Sequence, residues 1–90
     1  MPKYVIERAI PGAGSLSDEE IQEISATSNR VLSGMPDVQW VQSYVTDDKI
    51  FCVYLAPDPE RIRQHAKEGG FPADAVREVA RVIDPTTGGQ

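Results

Sequence analysis

Three side chains carry chemistry that could hold a metal ion or move a proton: the lone histidine His65, the lone cysteine Cys52 and the carboxylate Glu7. An imidazole titrates near neutrality and suits zinc, copper or nickel, and a thiolate or carboxylate can share the same ion. Their spacing carries no signature. His65 and Cys52 stand thirteen residues apart, with no Cys-x-x-Cys or His-x-x-x-His pairing, so any site must be assembled by the fold. Each residue also has a plain packing role. His65 falls at the edge of a helix's inward stripe, and Cys52 in mid-strand is a small apolar filler. Glu7, set among Val5, Ile6 and Ala9, either points to water at a sheet edge or is a paired buried carboxylate.

A second group, Trp40, Gln42, Tyr44 and Tyr54, brings large amphipathic side chains to one hairpin, as a ligand pocket or an interface requires. The signs of catalysis are sparse. Gly12-Ala13-Gly14 follows a strand and precedes a helix, yet it has neither the dinucleotide nor the Walker spacing and reads as a plain loop. No nucleophile elbow or paired-carboxylate pattern is present, which favours a binding protein over an enzyme.

The elements that must position these groups are legible. Residues 4–9 read as a strand with β-branched Val5 and Ile6, ended by Pro11-Gly12. Ser17 with Glu20 three residues later has the capping-box spacing, and Ile21, Ile24, Ser28, Val31 and Leu32 follow at helical period until Gly34 and Pro36. Residues 38–45 and 50–55 form a hairpin around Asp47-Asp48. Asp58 and Pro59 start a second helix whose inward stripe is Ile62, His65 or Ala66, and Gly69, and Gly69-Gly70 end it. Residues 76–83 read as a last strand.

The order β-α-β-β-α-β is the split β-α-β, or ferredoxin-like, arrangement of the α+β class. Two right-handed crossovers put both helices on one face of a four-stranded antiparallel sheet. The expected domain is 1–85, with 86–90 a flexible tail that lacks apolar groups.

Pairing across the expected two-residue turn sets Val41, Ser43, Val45, Ile50, Cys52 and Tyr54 on one face. Trp40, Gln42, Tyr44, Phe51, Val53 and Leu55 fall on the other. Neither set resembles a solvent face. The helices cover one, so the other calls for a second copy of the chain, and a two-fold homodimer is expected.

Composition excludes several functions. Nine basic residues are dispersed among fourteen acids, for a formal charge of −5, so the basic stripe that nucleic acid requires is missing. Arg61, Arg63 and Lys67 alternate with Glu60 and Glu68 as a solvated helix face would. No apolar run approaches the ~20 residues of a membrane span, and no leader pattern opens the chain. A single cysteine suits the reducing cytoplasm.

The chain resembles a family of short single-domain proteins of unknown function, some of which carry a nickel-binding label. The resemblance is carried by YVIER at 4–8, WVQSYVTDDKIFCVYLAP at 40–57, IRQHAKEGGFPAD at 62–74 and RVIDPTT at 81–87. It implies a ferredoxin-like homodimer and nickel as the cofactor, with Glu7, Cys52 and His65 matching the family's pattern. Members labelled for nickel have histidine where this chain has Gln42, and glutamine is a poorer donor than imidazole. The leading expectation is a cytoplasmic, non-enzymatic homodimer that binds nickel. The alternative is a small-molecule pocket between helices and sheet, as in dimeric ferredoxin-like monooxygenases.

Overall fold

Ser17 and Glu20 begin the first helix as their spacing predicts. The Ser17 hydroxyl accepts the Glu20 N–H at 3.1 Å, and the Glu20 carboxylate accepts the Ser17 N–H at 2.9 Å. A computed structural model, describing residues 1–89, contains strand β1 (Lys3–Ala9), helix α1 (Asp18–Leu32), strands β2 (Gln39–Val45) and β3 (Lys49–Leu55), helix α2 (Pro59–Gly69) and strand β4 (Ala75–Glu78). The sheet order is β2-β3-β1-β4, every neighbour antiparallel, which is the ferredoxin-like topology.

Period-two alternation sorts β1 and β3. Tyr4, Ile6, Ile50, Cys52 and Tyr54 are buried beneath the helices, together with Ile62 and Ala66 of α2. Lys3, Val5, Glu7, Phe51, Val53 and Leu55 alternate with them on the open face and are half-buried. Asp58 caps α2 by accepting the Arg61 N–H at 2.9 Å, Pro59 occupies its first turn, and Gly70 closes it in the left-handed conformation at φ 73°.

The structure differs from the sequence expectations in several places. A bulge between Trp40 and Gln42 turns Trp40 toward the helices, where it pairs with Tyr54. The expected grouping of Trp40 with Gln42, Tyr44 and Phe51 therefore fails, because one extra residue inverts the alternation. β4 ends at Glu78, and Val82 and Ile83 are exposed. Its partner is exhausted there: β1 starts at Lys3, whose carbonyl takes the last bond from the Val79 N–H at 2.8 Å.

Arg61 is no free surface charge, since it grips Asp37 with two parallel bonds of 2.9 and 2.7 Å and ties α2 to the approach to β2. Beyond these differences, Pro85–Gly88 forms one exposed 3-10 turn capped by Asp84. Of the tail expected at 86–90, Gln90 lies outside the described residues.

Candidate functional site

Arg8 is the third inward residue of β1, after Tyr4 and Ile6, and only 3 % of it is exposed. Its guanidinium is held on three sides. Nε donates to Cys52 Sγ at 3.3 Å, Nη1 donates to the Pro72 carbonyl at 2.6 Å, and the Phe71 ring lies 5.4 Å from Cζ. Among the described residues Nη2 is buried with no hydrogen-bond partner of its own, while the Tyr54 phenol also interacts with the Arg8 side chain. Among the described residues no carboxylate lies within ion-pair distance of Arg8. A buried guanidinium with no counter-charge is costly, so it marks this part of the fold.

Arg8 borders a cavity of about 170 Å³ between α1 and the sheet. Ile21, Ile24 and Ser25 of α1 form one wall. Trp40, Ser43 and Val45 of β2, with Ile50 and Cys52 of β3, form the opposite wall, and Ile10 and Phe71 complete it. The β2 bulge is what brings Trp40 here, and its indole N–H donates to Ser43 Oγ at 2.9 Å.

Beside this cavity lies a buried polar cluster. His65 is fully buried, with Nε2 3.1 Å from Ser28 Oγ and its ring 5.1 Å from Tyr54 and 5.7 Å from Phe71. Among the described residues its Nδ1 has no partner. Burial, reinforced by the positive charge of Arg8, pulls the imidazole down to about 4, so it is neutral at physiological pH. Burial also raises the Tyr54 phenol above its ordinary value, opposed by hydrogen bonding to Ser28 and by the charge and hydrogen bonding of Arg8.

The sequence-predicted residues divide between the two faces. His65, Cys52, Trp40 and Tyr54 lie on the helix side, whereas Glu7, Gln42 and Tyr44 lie on the open face. There Glu7 pairs with Lys49 at 2.8 Å, and the Gln42 amide bonds to the Tyr44 hydroxyl. Glu7 cannot meet Cys52 within one chain, because β1–β3 register sets Ile6 opposite Cys52 and Glu7 opposite Phe51. Nor is Glu7 at a sheet edge, since β1 is a central strand.

Neutral His65 with its orphaned Nδ1 has the right donor chemistry for nickel. Yet among the described residues no three His, Cys, Asp or Glu side chains group to hold an ion, and Cys52 already faces a guanidinium. The interior of a single chain therefore does not fit a divalent metal. The residue that sequence reasoning missed is Arg8. The alternation Tyr4, Ile6, Arg8 was the available signal, for it places the charge of Arg8, not that of Glu7, on the buried face.

A crystal structure of SCO4226 from Streptomyces coelicolor A3(2) is similar in fold, with a TM-score of 0.76 over 90 % of this chain and 99 % of that one. At 17 % identity, this likeness speaks to the fold alone. No curated protein sequence matches significantly. The family model described as "Nickel responsive protein SCO4226-like" matches residues 4–79, nearly the whole folded region. The chain thus belongs to the SCO4226-like family of nickel responsive proteins.

Proposed function

We propose that this protein is a non-enzymatic, cytoplasmic homodimer that binds nickel with a ligand set completed by the second copy. The carrying observation is that the described residues of one chain gather no three-donor cluster, while among them the sheet face bearing Glu7 and Gln42 carries no helix. Half-buried Val5, Phe51, Val53 and Leu55 and the 55 % exposed Tyr44 make that face a natural surface for self-association. Isologous pairing duplicates every donor on it, Glu7 included. Family membership supports a link to nickel, and the free, buried Cys52 suits a reducing compartment.

The test combines calorimetric nickel titration with light scattering. The expected result is a dimer that takes up nickel, with uptake weakened in Glu7→Gln. A stable monomer, or no nickel uptake by the wild type, would overturn the proposal.

The cavity beside Arg8 favours a second reading, a small-molecule binding protein of the dimeric ferredoxin-like kind. Helix and sheet leave an apolar chamber with a few converging polar groups, which is the ordinary make-up of a ligand site.

A further inference from the structure

The cavity between α1 and the sheet has one charged residue in its lining, Arg8, and the rest is dominated by apolar side chains such as Ile21, Ile24, Trp40 and Ile50. Three observations there point to a ligand. Among the described residues Arg8 Nη2 is buried without a hydrogen bond of its own, although an unsatisfied buried donor on a charged group carries a large desolvation cost. Ser43 Oγ accepts the Trp40 indole N–H, which leaves the Ser43 hydroxyl proton to give to another acceptor. The volume, about 170 Å³, exceeds the roughly 150 Å³ of an engineered apolar cavity that takes up benzene.

From these we infer that the cavity is a binding site for a small apolar monocarboxylate, about the size of benzoate, whose carboxylate accepts from Arg8 and whose hydrocarbon part lies against α1. The inference rests on the small-molecule reading above and names its ligand class. Carboxylate is favoured over phosphate because Arg8 is the only cationic residue among the described residues lining the cavity, so a monoanion balances the charge. Apolar substance is required because a bare anion would leave the isoleucine and tryptophan walls facing empty space. Pre-organisation is already present: Cys52 Sγ, the Pro72 carbonyl and the Phe71 ring fix the guanidinium before any ligand enters.

Trp40 is the only tryptophan and lines the cavity, so its fluorescence reports occupancy. Wild-type protein is titrated with benzoate, with its neutral isostere benzamide and with acetate, following fluorescence and melting temperature. Benzoate should bind about tenfold or more tightly than benzamide, as a charge-assisted hydrogen bond implies, and more tightly than acetate. Arg8→Met should retain the fold while losing the preference for benzoate. Should that variant fail to fold, the wild-type comparison still decides.

Equal affinity for benzoate and benzamide would overturn the carboxylate assignment while leaving a small-molecule cavity in place. Acetate binding as well as benzoate would overturn the apolar requirement. No saturable response to any of the three would overturn both the inference and the reading beneath it.

Discussion

Arg8 Nε donates to Cys52 Sγ across the β1–β3 pair at 3.3 Å. Register explains the meeting, since Ile6 stands opposite Cys52 and Arg8 opposite Ile50, making Arg8 and Cys52 diagonal neighbours on one face. The contact joins the cysteine to the cationic wall of the cavity. A thiol that serves a guanidinium in this way is a poor partner for a second cation. Nickel is therefore placed, in the function proposed here, at the sheet's other face, and the interior is left to an anionic ligand.

Acid should destabilise the protein in a window that His65 sets. The folded imidazole is held at about 4, against an ordinary value of 6.5, so the unfolded chain takes up a proton that the fold refuses between those values. The stability is fully present above about pH 6.5 and is lost progressively as pH falls to about 4, by about 3 kcal/mol in all. Urea midpoints measured from pH 7.5 to 4 check this. His65→Gln should flatten the curve above about pH 5, where the carboxylates of Glu20, Asp37 and Asp84, all held below their ordinary values, have yet to contribute. An unchanged slope in the variant would assign the acid sensitivity elsewhere.

Adjacent glycines at the end of α2 should respond differently to alanine. Gly70 has open space around it but a positive φ of 73°, so Gly70→Ala should cost about 1 kcal/mol through backbone strain and leave the cavity unaltered. A Cβ on Gly69 would collide with the Phe71 ring, which packs on both Arg8 and His65. Gly69→Ala should therefore also change Trp40 fluorescence. Denaturation curves and emission spectra of the two variants separate the effects, and matching spectra would exclude a coupling through Phe71.

The two large hairpin rings should divide between stability and assembly. Trp40 lies on the cavity side and Phe51 on the open face. Trp40→Ala should lower the stability of the folded chain by about 3 kcal/mol, as loss of a packed aromatic ring does. Phe51→Ala should mainly weaken self-association. Light scattering across a dilution series, alongside urea unfolding, reads both quantities, and dissociation caused by Trp40→Ala alone would refute the division.

Much of the scaffold is legible without coordinates because its signals are local. Ser17 and Glu20 bond each other three residues apart, Pro59 fits a first helical turn, and Gly70 tolerates a positive φ, so the helix ends need no tertiary information. Strand alternation likewise separates Tyr4 and Ile6 from Val5 and Glu7. The order of these elements then leaves few topologies, and the β2-β3-β1-β4 sheet is among the simplest of them.

The site needed more. A bulge at Val41 depends on how β2 twists against β3, and the apolar pattern around Trp40 is equally consistent with either face. The length of β4 depends on where its partner β1 begins. Arg61 looks like a surface charge until α2 is docked beside Asp37. Sequence by itself determined the elements, their order and that Ile50, Cys52 and Tyr54 of β3 share a face, because those follow from interactions among near neighbours. Tertiary structure alone decided that Arg8 meets Cys52, that Trp40 joins the cavity and that Glu7 stands apart from His65. Each of these depends on the register and packing of elements distant in the chain, and a one-residue shift reverses a face.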